Sequence, residues 1–251
     1  MTLGNGLTAL VTGGTGGIGA QLVRRLCADG VEVIAGSIER EKFDALAGET
    51  GCEAIYLDVT DRQGLLDALA DREIDIVVAC AGALGLSGKT YELAGDAGRT
   101  VAEVNILGLQ NTLEATVPGM VARNRGHVVT IGSVAGLYPS LGQPVYSATK
   151  AAVHNMTLNL RMELYGTDIR VSEVRPGRVA SGMHREMFGG DEARAAELLY
   201  DPYECLSCDD VAGCIHWILS APPHVDVTQI EIMPTHHVIG GVRFHSRGAQ
   251  G

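Results

Sequence analysis

Short apolar runs alternate with longer stretches of helix-forming composition. The runs 7–12, 31–35, 52–57, 74–78, 126–131, 169–174 and 227–233 are rich in Val, Ile, Leu and Ala. Most read as near-continuously hydrophobic rather than alternating, the pattern of strands covered on both faces. Between them, residues 20–28, 62–70, 98–123, 144–165 and 209–220 place apolar side chains at helical spacing. Strand and helix succeed each other about six times before a final strand, which predicts a doubly wound parallel sheet of about seven strands with helices on both faces.

Composition narrows the function classes. A chain of 251 residues with no internal repeat or linker fits one α/β domain, 1–251. Its hydrophobic fraction of 46% and charged fraction of 20% are those of a globular chain. A net charge of -11 would repel nucleic-acid phosphates, so no nucleic-acid partner is expected. No apolar span is long enough to cross a membrane, and the first residues lack the basic region of a leader, so a cytoplasmic protein is expected. Cysteines at 27, 52, 80, 205, 208 and 214 are then read as free thiols. Cys205 and Cys208 form a CxxC without a second pair, read as two unpaired thiols before a helix, and no metal site is expected.

Residues 133–150, S-V-A-G-L-Y-P-S-L-G-Q-P-V-Y-S-A-T-K, carry the candidate chemistry. Tyr146 and Lys150 are four apart at the start of a helix and share one face. A phenol titrating near ~10 is a poor acid or base at neutral pH, and a nearby ammonium lowers that value. Ser133 follows an apolar run, which sets its hydroxyl at the C-terminal end of a strand, where open α/β sheets bind ligands. A Tyr and a Lys at this spacing occur by chance on many solvated helices. Here a glycine-rich turn, Gly13-Gly14-Thr15-Gly16-Gly17-Ile18-Gly19, also joins the first strand to an amphipathic helix. Such a turn lets backbone approach a pyrophosphate whose charge meets the helix N-terminus.

Together these motifs resemble the short-chain dehydrogenase/reductase family, from the first strand to near the C-terminus, with Thr12, Gly13, Gly17 and Gly19 at the positions of its T-G-x-x-x-G-x-G turn. The resemblance implies a Rossmann-like domain with a cofactor-binding half, 1–125, and a catalytic and lid half, 126–251. It implies a nicotinamide-dependent alcohol dehydrogenase or carbonyl reductase acting on a small molecule. Tyr146 would exchange a proton with the substrate oxygen, Lys150 would lower its pKa and bind the nicotinamide ribose, and Ser133 would hydrogen-bond that oxygen. Asn105 would complete a proton relay; the alternative for it is a satisfied core amide.

Cofactor contacts are implied for Gly13, Thr15, Gly17, Ile18, Gly19, Ala81, Gly82, Pro176 and Gly177, and for Asp58 with Val59. Asp58 equally suits a helix cap or turn. Ala79-Cys80 replaces the family's usual Asn-Asn, removing amides that tie neighbouring strands. At the end of the second strand a carboxylate would favour NAD and an arginine NADP. Ser37 and Arg40 lean to NADP, while Glu39 opposes a phosphate.

Within the family, residues 113–126, 145–150, 158–161 and 230–234 are similar to the NADP-dependent 3-hydroxy acid branch, which oxidises serine and allo-threonine. Arg178, with His184 and Arg185 in a polar lid at 182–199, would then face an anionic substrate; the alternative for Arg178 is a pairing with a surface carboxylate such as Glu173 or contact with solvent alone. Other readings are reduction of a sulfonated aldehyde, a sugar alcohol or a ketosteroid, or a cofactor sensor without turnover. By the same resemblance the protein forms a homodimer or homotetramer.

Overall fold

Seven parallel strands form one sheet in the order β3-β2-β1-β4-β5-β6-β7. They are β1 (Thr8–Thr12), β2 (Glu32–Ser37), β3 (Glu53–Tyr56), β4 (Ile76–Ala79), β5 (Gly126–Ile131), β6 (Ile169–Pro176) and β7 (Gln229–Ile232). The computed structural model describes residues 3–236 apart from Ala97 and Tyr203, so most of the polar tail lies outside the described residues. The chain steps outward from β1 to β3, then returns to β4 on the other side of β1. That reversal opens a crevice at the carboxyl ends of β1 and β4.

The continuous apolar runs follow from burial on both faces. In β1, Ala9 and Val11 pack against α1 (Gly17–Ala28) and the last large helix, whereas Leu10 faces the opposite layer. α2 (Phe43–Thr50) and α3 (Arg62–Leu69) complete the first half. α6 (Pro144–Glu163) starts with Pro144, whose missing N–H costs nothing in a first turn. α8 (Cys208–Ser220) opens with a capping box between Ser207 and Asp210. Among the described residues no helix is long and apolar enough to cross a membrane.

The expected helix over 98–123 is three pieces: α4 (Arg99–Ala102), a π-turn at Glu103–Leu107 and α5 (Gly108–Arg123). The π-turn inserts an i+5 bond, from Gly108 N–H to the Glu103 carbonyl, and rotates the face that follows. Apolar spacing does not betray such an insertion. The segment expected as a lid, 182–199, is also helical in fragments: a 3₁₀ segment at Met183–Phe188, α7 (Glu192–Ala195) and a π-turn at Ala196–Tyr200.

Candidate active site

β5 delivers Ser133 in extended conformation (φ -167°, ψ 153°) immediately before a tight turn, Val134–Gly136. That turn lies against α6 so closely that a Cβ on Gly136 would sit 2.7 Å from the Lys150 carbonyl, which brings Ser133 beside the first turns of the helix. Ser133, Tyr146 and Lys150 all line one cavity of about 290 Å³, with Cys80, Gly82, Pro176, Gly177 and Arg178. Lys150 is buried and its Nζ donates to the Ile131 carbonyl at 2.8 Å, lying 5.7 Å from the centre of the Tyr146 ring.

The phenol is raised rather than lowered from its ordinary value. Burial pushes Tyr146 up, the Ser133 hydroxyl works against that, and the Glu186 charge adds to it. Lys150 is lowered to about 8, chiefly by burial, with the Cys80 thiol and Glu173 opposing. Burial disfavours the charged forms of both the phenol and the ammonium.

The glycine-rich turn is shaped by close approach. Gly13 has φ +65°, and a Cβ on Gly19 would lie 2.2 Å from the Gly13 carbonyl oxygen. α1 begins behind Gly16 with no side-chain cap, leaving first-turn N–H groups facing the crevice at Ile18, which lines the cavity. This cradle suits a pyrophosphate. Thr12 Oγ1 accepts from the N–H groups of Cys80 and Ala81, both at 3.1 Å, and so ties β1 to β4 where amide side chains were expected to be missed. Burial pushes the Cys80 thiol up to about 11, leaving it uncharged.

At the end of β2, Thr15 Oγ1 donates to Ser37 Oγ at 2.6 Å and lies 3.1 Å from Glu39 Oε2. Burial would raise the Glu39 carboxyl, but Lys42, Thr15 and the Arg185 charge together hold it below the usual range. Arg40 stacks over the Tyr56 ring at 4.0 Å. Asp58 closes a turn by accepting from Thr60 N–H and Oγ1 at 2.9 and 2.7 Å, while Asp61 caps α3.

Asn105 is buried at the π-turn. Its Oδ1 accepts from Ala83 N–H at 2.8 Å, and its Nδ2 donates to the Ala83 carbonyl and to Thr149 Oγ1 at 2.9 and 3.0 Å. The side chain is thus a strut between this helix, the loop after β4 and α6.

Arg178 lines the cavity, and its Nη1 donates to the Leu199 carbonyl at 3.3 Å. Glu173, expected as a surface carboxylate within reach of Arg178, is instead wholly buried and engaged by His154 and Arg175. His184 also lines the cavity, 2.9 Å from the Tyr200 hydroxyl, and burial with the Arg178 charge lowers it to about 4. Arg185 is exposed and does not line the cavity, and its charge helps lower the Glu39 carboxyl.

Comparison with known proteins decides the family. The short chain dehydrogenase family matches residues 7–191. The chain belongs to that family. It is 36% identical to the NADP-dependent 3-hydroxy acid dehydrogenase of Escherichia coli over 249 residues, covering 95% of this chain and 99% of the relative. It is 33% identical to the serine 3-dehydrogenase of Rhizobium radiobacter over 246 residues, 95% of this chain and 98% of the relative. The closed form of a serine dehydrogenase complexed with NADP+ superposes with a TM-score of 0.89 at 35% identity, 95% of this chain and 99% of that one.

Two features of this short-chain dehydrogenase escape sequence reasoning. Glu186 in the lid accepts from the Leu84 and Gly85 N–H groups, each at 2.9 Å, so a carboxylate latches the lid to the loop after β4. Gly85 has φ +75°, the left-handed geometry that lets successive N–H groups converge on an anion. Glu173 lies behind the lysine. Neither carried a signal, since each acts through a contact about 20 or more residues away.

Proposed function

We propose that this dehydrogenase interconverts a small alcohol, best a 3-hydroxy acid, and its carbonyl, with Tyr146 as acid/base. The observation that carries the reading is the meeting of Ser133, Tyr146 and Lys150 on one wall of the cavity into which the glycine turn also opens. A nicotinamide cofactor, when bound, supplies or accepts the hydride. Gly13, Thr15, Gly17, Ile18 and Gly19 would hold its pyrophosphate, Ser37 and Arg40 its adenosine end, and Asp58, Val59, Ala81, Gly82, Pro176 and Gly177 would flank the rest. Ser133 Oγ orients the reacting oxygen, and Tyr146 passes a proton to it or takes one away. Lys150 steadies the phenolate and would hold the nicotinamide ribose; Asn105 joins the relay by holding the α6 register through Thr149.

NADP is favoured over NAD by the names of the relatives and by the Arg40–Tyr56 stack, which sets a guanidinium beside Ser37. Glu39 keeps NAD accessible. An anionic substrate is supported by Arg178 in the cavity wall, since a guanidinium can grip a carboxylate. The 1–125 half would then serve the cofactor and the 126–251 half the chemistry and the lid. Apolar side chains exposed at Leu107, Val121, Met162 and Tyr165 support a homo-oligomer, and six cysteines outside any disulfide suit a cytoplasmic setting.

The test is Tyr146→Phe, which keeps the ring and removes the proton-exchanging group. Turnover of 3-hydroxy acids should fall ~100-fold or more with cofactor binding kept. Near-normal turnover would refute the assignment.

A further inference from the structure

β6 carries Glu173 on the face covered by α6, and the side chain is wholly buried. Its Oε2 lies 2.7 Å from His154 Nδ1 and 3.2 Å from Arg175 Nη1. Arg175 Nη2 in turn lies 3.5 Å from Glu231 Oε1 on β7. So short a contact between a carboxylate and a ring nitrogen places a proton on Nδ1, donated to Glu173. The other oxygen, Oε1, has no hydrogen-bond partner among the described residues.

That bare oxygen points at the end of β5. It fills the space where a side chain on Gly132 would stand, 2.3 Å from the position of a Cβ there. Gly132 separates Ile131, whose carbonyl receives Lys150 Nζ, from Ser133. On α6, Tyr146, Lys150 and His154 follow one another at i, i+4 and i+8 along one face. A carboxylate therefore sits directly behind the peptide that holds the lysine, shielded from water, where a charge acts with little screening.

We propose that Glu173 is a positioning residue for the reaction: anchored by His154 and Arg175, its carboxylate keeps Lys150 charged and so sustains the lysine's hold on Tyr146. This rests on the reading of Ser133, Tyr146 and Lys150 as the reacting set. The charge balance at Lys150 supports it, because burial lowers the ammonium to about 8 and the groups opposing that are Cys80 and Glu173. Cys80 is itself held uncharged by burial, which leaves Glu173 as the anion. The groups that face Glu173 are His154 and Lys150 from α6, Arg175 from β6 and, through Arg175, Glu231 from β7. A purely structural role would be to neutralise Arg175, and for that Oε2 alone suffices.

The sequence holds three lysines, Lys42, Lys89 and Lys150, so carbon NMR of the ε-positions resolves the titration of Lys150 in the cofactor-free protein. Glu173→Gln should lower that midpoint by ~1 unit or more, the effect of losing a nearby opposite charge. The alkaline decline of alcohol oxidation should move to lower pH in step. Glu173→Asp, which withdraws the charge from Gly132 but keeps it, should shift both in the same direction by less, and decides the matter should the amide fail to fold. Glu231→Gln, acting on Arg175 alone, should leave the lysine midpoint in place. An unchanged Lys150 midpoint in Glu173→Gln or, where that variant does not fold, in Glu173→Asp, or an activity loss equal at every pH, overturns the proposal. The NMR titration stands independently of turnover, so a failure of the Tyr146 assignment would be seen separately.

Discussion

The proposed substrate and cofactor preferences rest on two single charged groups, Arg178 and Glu39. Arg178 spends one N–H on the Leu199 carbonyl and lines the cavity. Arg178→Lys keeps the charge but loses the paired fork, so KM for hydroxy acids should rise several-fold while neutral alcohols change little. An equal response of both substrate types would make the residue structural. Glu39 stands against Thr15 and Ser37, at the edge where a second cofactor phosphate would lie, and its carboxyl is held ionised by Lys42, Thr15 and Arg185 against the effect of burial. Titration should show tighter binding of NADPH than NADH. Arg40→Ala should narrow that gap and Glu39→Gln should widen it. Equal affinities in the unaltered protein would show that this edge does not read the phosphate.

The lid illustrates what an element contributes beyond its residues. Its 3₁₀ segment, Met183–Phe188, carries no buried residue and is held to the loop after β4 by Glu186 on Leu84 and Gly85. Glu186→Ala removes both hydrogen bonds and should raise substrate KM several-fold, with a smaller change for Glu186→Gln, whose amide oxygen still accepts. Because the Glu186 charge also raises the Tyr146 phenol, the acid limb of the alcohol-oxidation profile should move to lower pH in the alanine variant. A pH profile unchanged alongside an unchanged KM would show that the latch does not govern closure. At this scale strands were the most legible elements, since burial on both faces writes itself as apolar runs such as 7–12. The helix around Asn105 was not, because a π-turn depends on hydrogen bonding that residue spacing does not encode.

Across the whole molecule, buried ionisable groups set the pH range of stability. His127 in β5 is buried, its Nε2 lies 2.9 Å from Ser172 Oγ, and burial followed by the Arg170 charge lowers it to about 3. The unfolded chain takes up this proton near ~6.5, whereas the folded one does not until about 3. The unfolded state therefore binds more protons in that window, and stability falls as pH drops from ~6.5 towards 3. His184, lowered to about 4, acts with the same sign. Thermal melting should give a Tm that declines as pH falls below ~6.5, with a shallower decline in His127→Gln. Identical slopes would exclude His127 as a source.

What the sequence by itself determined was the parallel α/β architecture, the family, and that Ser133, Tyr146 and Lys150 come together, as they do in lining one cavity. Strand burial, the i, i+4 spacing and the glycine turn are local patterns, and locality makes them readable in one dimension. Only the tertiary structure decided that Asn105 braces Ala83 and Thr149, that Thr12 replaces the missing strand-tying amides, and that Glu173 and Glu186 press on the lysine and the phenol. Those effects arise from desolvation and from charges brought together across β4, β5, β6 and the lid. Their strength is set by distance and burial in the folded chain, quantities that residue order does not carry.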